Sequence, residues 1–216
     1  MLPLRGARPG GSVALPLVDA RRALLTRLFD HAPMFPPAAM ALPEALAEDA
    51  RAQASPDAWI LGRFVVPEGT HVEERELAVV SGGTERQGGD VYVEGVSKIR
   101  CGGAAIPSVE ELAAFVRRCR ESGVVFKATA GLHHAYPTEA GEHGFLNLLA
   151  ACAFGDEEDA LRAPRGSFAL DADSFRWNGR TAGPDELARA REHLLHSIGS
   201  CSFFEPVGEL HELEIL

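Results

Sequence analysis

Lysine is nearly missing from this chain: Lys98 and Lys127 are the only two among 21 basic residues. Arginine stays protonated and forms no imine, so any amine chemistry is confined to these two positions. Both close a short apolar run ahead of small residues, in Ser-Lys98-Ile-Arg-Cys-Gly-Gly and Phe-Lys127-Ala-Thr-Ala-Gly. Cysteine is sparse as well. Cys101, Cys119, Cys152 and Cys201 are widely spaced with no Cys-x-x-Cys pair. That pattern is neither a zinc framework nor the disulfide scaffold of a small secreted domain, and it suits reduced thiols in a cytoplasm. Excess positive charge is lacking. A formal net charge of -10 argues against nucleic acid or an anionic membrane surface as partner. Nor does any apolar run approach the length of a membrane span. The sequence is that of a soluble protein. The opening stretch, 1–20, carries Arg5 and Arg8 but no sustained apolar segment, and is expected to be a flexible tail rather than a signal peptide. Residues 21–216 are expected to form one domain.

What is present is an alternation of short apolar runs with amphipathic segments, the signature of βα units and a parallel sheet. The clearest unit runs from Lys98 to Thr129. Ser108 and Glu111 have capping-box spacing, and Val109, Leu112, Phe115, Val116 and Cys119 recur on one helical face. Gly123 is placed to stop that helix, and Val124-Val125-Phe126 to begin the next strand. Further strands are expected at Ala58–Val66, Glu76–Val80, Val91–Glu94 and Ser197–Phe204, the last ahead of an acidic tail. Helices are expected over Pro43–Arg51, Gly144–Phe154 and Pro184–His196. The run Ala23–Leu28 reads as a first strand. Between Val80 and Lys98 there is no room for a crossover helix, so either a hairpin sits there or segments of a complete barrel are missing.

Alternate residues of a strand share a face, which pairs Lys98 with Arg100 and Lys127 with Thr129. On neighbouring strands the two amines and the guanidinium are placed to converge, and like charge plus burial lowers a lysine pKa. The plain alternative is Lys98 paired with Glu94 merely to satisfy the sheet interior. Gly102, Gly103 and Gly131 follow these strands and leave room for a phosphate to approach the backbone. His133 and His134 lie on the next loop, with His143 beyond. One of them is expected to move protons or orient substrate. A metal held by these histidines with Glu139 or Glu142 is the competing reading. Asp30 and His31, after the apolar run, are expected at the same rim. Cys201 lies in a segment rich in small polar residues and is not expected to act as a nucleophile, because no base for it is evident in the sequence.

The set Phe29-Asp-His-Ala-Pro-Met-Phe-Pro-Pro37, Lys98-Ile-Arg-Cys-Gly-Gly103, Phe126-Lys-Ala-Thr-Ala-Gly-Leu-His-His134, His143-Gly-Phe-Leu-Asn147 and Ser200-Cys-Ser-Phe-Phe-Glu-Pro206 resembles an uncharacterised family of bacterial and plant β/α-barrel proteins. The resemblance covers most of the chain after residue 20 and implies a barrel fold, shortened here between Val80 and Lys98. A thinner similarity, over about a dozen residues, is to class I aldolases of the deoxyribose-phosphate type. Lys127-Ala-Thr-Ala-Gly131 is similar to that family's Schiff-base stretch, and Lys98-Ile-Arg-Cys-Gly-Gly103 to its second lysine segment, in reversed chain order. That family's catalytic aspartate has no evident counterpart.

The expectation is a TIM-barrel-like α/β enzyme of lyase or aldolase type, without a cofactor, acting on a small phosphorylated or carboxylated substrate. Lys127 leads as the imine-forming or polarising group. Lys98, Arg100 and Thr129 assist it, with His133 or His134 as proton carrier. Two alternatives stand beside it. One is a metal-dependent hydrolase or lyase on the His133/His134/His143 loop. The other is a non-catalytic barrel-derived binding module, whose exposed apolar seam favours homo-oligomers.

Overall fold

The computed structural model describes residues 19–73, 75–103 and 106–216. The expected tail over 1–20 thus lies almost wholly outside the described residues. Its last two positions belong to the fold, because Asp19 caps the first helix, α1 (Ala20–Leu25), by accepting from the Arg21 N–H at 2.8 Å. Ala20, Leu24 and Leu25 share its buried side. The run expected as a first strand is therefore mostly helix and turn. The strand β1 (Phe29–His31) begins only after it.

The chain continues through α2 (Leu42–Gln53), β2 (Leu61–Pro67), β3 (Leu77–Ser81), β4 (Thr84–Gln87), β5 (Asp90–Val93), β6 (Lys98–Arg100), α3 (Val109–Ser122) and β7 (Phe126–Thr129). It then forms α4 (Phe145–Phe154), α5 (Glu157–Arg162), a small antiparallel sheet of β8 (Phe168–Leu170), β9 (Phe175–Trp177) and β10 (Arg180–Ala182), and α6 (Pro184–His193). It closes with β11 (Leu195–Ser200) and α7 (Phe204–Glu212). The acidic tail is thus a helix, and the last strand ends at Ser200 rather than Phe204. Among the described residues no helix is long and apolar enough to cross a membrane.

Eight strands form one sheet in the order β5-β4-β3-β2-β1-β11-β7-β6. All pairings from β3 round to β6 are parallel, while β4 is antiparallel to both of its neighbours. The two edge strands, β5 and β6, follow each other in sequence through the turn 94–97, where an isolated bridge joins Glu94, just past β5, to Lys98. The sheet therefore nearly closes into a barrel. The stretch from Val80 to Lys98 is a pair of hairpins, with Gly82-Gly83 and Gly88-Gly89 as two-residue turns. No helix forms between β3 and β6, and Val91, Val93 and Val96 stand exposed there.

Side chains alternate across this sheet with unusual consequence. On β1, Phe29 packs edge-on against Phe145 of α4 (5.3 Å between centroids), whereas Asp30 turns inward. On β7, Phe126 meets Phe115 of α3 at 5.3 Å, and Lys127 turns inward. A strand of an all-parallel barrel ordinarily reads as continuous apolar sequence because both faces are buried in hydrocarbon. Here the outer layer is apolar and the barrel interior is ionic.

Candidate functional site

Strand register brings the interior groups together. Lys127 on β7 sits opposite Ser197 on β11 and Lys98 on β6, and β1 lies on the far side of β11. The Lys127 ammonium donates to Asp30 Oδ2 at 2.6 Å and also to Glu85 Oε1 from β4. Around this triad the Ser197 hydroxyl donates to Asp30 Oδ2 (2.7 Å), as does Gln87 Nε2 (3.1 Å), while the Arg63 backbone N–H donates to Asp30 Oδ1 (2.6 Å). Gln87 also donates to Glu85 Oε1 at 2.8 Å. All five side chains of this cluster are buried. Burial alone pushes the Asp30 carboxyl up, but the Lys127 charge and the surrounding donors outweigh it and hold the carboxyl at about 2. Asp30 is thus a fixed anion. Gly62 completes the packing, since a Cβ there meets Asp30 Oδ1 at 2.2 Å.

Below the triad, Arg63 donates to Gln87 Oε1 at 2.8 Å and approaches His196 Nε2 at 3.1 Å, and Tyr92 packs on the His196 ring at 5.4 Å. Burial lowers the His196 pKa and raises the Tyr92 phenol to about 12, so both favour neutral forms. Arg191 seals this end by donating to the carbonyls of Leu195 (3.0 Å) and His196 (2.6 Å).

Above the triad, at the carboxyl ends of the parallel strands, lies a cavity of about 100 Å3. Its polar lining comprises Glu85, Lys98, Arg100, Thr129, His133 and Cys201, and Phe35, Val65 and Val80 are among its apolar walls. Lys98 is buried, with Glu94 Oε2 3.7 Å from its Nζ. Arg100 has no carboxylate partner among the described residues. A second depression adjoins the first and is lined by Pro36, Pro37, Arg100, Gly103, Gly131, His133 and Glu142. The floor between strands β6 and β7 is glycine for a steric reason. A Cβ on Gly102 meets the Gly131 backbone at 2.8 Å, and one on Gly131 meets the Cys101 carbonyl at 2.6 Å. Ala130, Gly131 and Leu132 all have left-handed φ (53°, 78° and 58°), which folds the loop sharply over the mouth.

The sequence candidates divide accordingly. Lys98, Arg100, Thr129 and His133 line the mouth, and Gly103 lines its side pocket. Lys127 and Asp30 lie beneath it, bonded to each other, and Lys127 is held by two carboxylates, Asp30 and Glu85, rather than left as part of one open cationic cluster. Glu94 is the partner of Lys98, and Gly102 serves close packing. His31 is not at the rim. It points out of the barrel to α2, with Nδ1 3.0 Å from Asp49 Oδ1 and Nε2 3.6 Å from Glu48, and Asp49 is held in turn by Arg75 at 2.8 Å. The three loop histidines diverge. His134 Nδ1 lies 2.6 Å from Glu209 of α7, which also accepts from the Ala135 N–H at 2.6 Å, and the Glu209 hydrogen bond raises the His134 pKa. His143 Nε2 donates to the Pro107 carbonyl at 2.8 Å. Among the described residues no three His, Cys, Asp or Glu side chains are grouped to hold a metal ion.

Glu85, Gln87, Arg63 and Ser197 were missed as site residues. The signal for the first two is the pair of Gly-Gly turns bracketing Thr-Glu-Arg-Gln, which marks a short hairpin strand with Glu85 and Gln87 on one face. Together these features define a barrel-like α/β protein with an ionic interior and a mouth that carries Lys98 and Arg100. No protein-family model, curated protein or solved structure matches the chain.

Proposed function

We propose that the protein is an enzyme of lyase or aldolase type acting on a small anionic carbonyl compound at this mouth, with Lys98 as its reacting amine. The barrel is read as a shortened (β/α)8 form in which the hairpins β3–β5 stand in for missing βα units. The parallel run from β3 to β6 and the position of the cavity at the strand carboxyl ends support that reading. A cytoplasmic location goes with it.

One observation carries the assignment. Of the two lysines, Lys98 borders the cavity, whereas Lys127 is fully buried in its ion triad. The leading role therefore moves from Lys127 to Lys98. Glu94 is placed to take a proton from the Lys98 ammonium, freeing its lone pair for the carbonyl carbon. Arg100 offers a charged fork to a phosphate or carboxylate on the substrate. Glu85 reaches both the cavity and Lys127, and so is positioned to exchange protons with the bound intermediate. Lys127 then keeps Glu85 oriented rather than attacking substrate.

The test is borohydride trapping with a panel of small aldehydes, ketones and sugar phosphates, followed by peptide mass spectrometry. A stoichiometric adduct on the Lys98 peptide is expected, and its loss in Lys98→Arg. Labelling no greater than in a denatured control removes the imine mechanism, and an adduct on Lys127 returns the nucleophile to that residue.

A further inference from the structure

A second reactive group faces the same cavity. Cys201 follows the end of β11, and its Sγ lies 3.8 Å from His133 Nε2. The imidazole's other nitrogen, Nδ1, is 3.2 Å from Ser200 Oγ and 3.3 Å from Glu205 Oε2. The Ser200 hydroxyl proton is spent on the Ser202 carbonyl at 2.7 Å, so towards His133 this oxygen only accepts. A Glu205 carboxylate also only accepts. Nδ1 must therefore carry the ring proton, which leaves Nε2 bare and directed at the thiol. That is a thiol–imidazole–carboxylate relay in which a third group fixes the tautomer of the base. The other three cysteines have no such arrangement. Cys101, Cys119 and Cys152 are buried, and burial pushes their thiols up to about 12, 11 and 12. Burial raises the Cys201 thiol as well, so what sets it apart is the imidazole nitrogen beside it and its place at the cavity. Cys201 alone lines the mouth, together with Arg100.

We propose that Cys201 is an acyl-accepting nucleophile, activated by His133 and Glu205, for small activated acyl groups carrying a negative charge. Sγ bonds to the acyl carbon as the thiol proton passes to His133 Nε2. The bond from that carbon to the leaving oxygen or sulfur breaks, and the leaving group takes the proton from the imidazole. Water, deprotonated by the same imidazole, then adds to the acyl carbon, and the thiol departs with its proton restored. Arg100 is the group placed to bind the substrate's charge. This inference needs the cavity but not imine formation at Lys98. The two chemistries leave their marks on different peptides.

The probe is p-nitrophenyl acetate, with release of p-nitrophenolate followed by stopped flow and the acetylated peptide identified by mass spectrometry. A burst stoichiometric with protein and acetyl on the Cys201 peptide are expected. Loss of the base in His133→Gln should slow the burst by about 100-fold, with the far-UV circular dichroism unchanged. Glu205→Gln, at an exposed position, should slow it several-fold and supplies the test if His133→Gln fails to fold. A burst as fast in the folded variants as in the wild type, or acetylation of Cys201 no faster than of Cys119, overturns the proposal.

Discussion

At the scale of single residues the Lys127–Asp30–Glu85 triad has the largest energetic stake. Removing one partner of a buried ion pair strands a charge where water cannot reach it, at a cost of roughly 3–5 kcal/mol. Lys127→Met should therefore lower stability by about that much in urea melts at neutral pH. The pH dependence tells pairing from mere packing. With its folded pKa held at about 2 against an ordinary carboxyl near 3.8, Asp30 favours the native state above about pH 4 and loses that contribution as pH falls through its folded value. Without the ammonium, burial dominates and raises the same carboxyl, so the variant's deficit should narrow on acidification towards about pH 4. A deficit that is constant with pH would mean Lys127 acts through volume rather than charge. Residue types alone disclosed the two lysines and Asp30 as special. They did not disclose the partners. Asp30 and Lys127 are 97 positions apart, and it is the insertion of β11 between β1 and β7 that brings them together.

Elements differ in how openly the sequence declares them. Helix α3 was legible in full, because its signals are local. Ser108 and Glu111 form both halves of the capping box, at 3.2 and 2.8 Å, and Gly123 ends it at φ 63°. The neighbouring loop was not. Its shape comes from the contact of two backbones, Gly131 against Cys101 and Gly102, which belong to different βα units. Gly131→Ala adds a methyl group into the Cys101 carbonyl and also penalises the left-handed φ. It should destabilise the protein by about 1–3 kcal/mol and displace His133, abolishing the expected Cys201 burst while leaving the triad. Retained burst kinetics would show that the loop can relax around the methyl group. The segment after Ser200 was misread as strand because Phe203 and Phe204 are apolar, yet Phe203, Val207 and Leu210 are buried from one side of a helix and its approach.

For the molecule as a whole, the mixed α/β character and the barrel-like sheet followed from alternation of apolar runs, but its ionic interior did not. Lys127 sits alone between Phe126 and Ala128, while Asp30 and Ser197 each have a histidine beside them, and which face of a strand looks inward is settled only when helices cover the other. Connectivity has a kinetic consequence. Most neighbouring strands are close in sequence, such as Phe29 with Leu61 or Lys98 with Lys127, and the hairpins are closer still. Strand β11 is different, since it wedges between β1 and β7 and pairs Asp30 with Gly199. Loop-closure entropy makes that distant pairing the slow event. In pulse-labelling hydrogen exchange during refolding, amides of β3–β5 should gain protection before those of β11, and simultaneous protection would refute this order. During synthesis the arc from β1 to β7 emerges well before the strand that locks it. A nascent chain stalled before Leu195 holds both lysines and neither Ser197 nor Cys201, and so waits with its ring of interior polar groups unjoined.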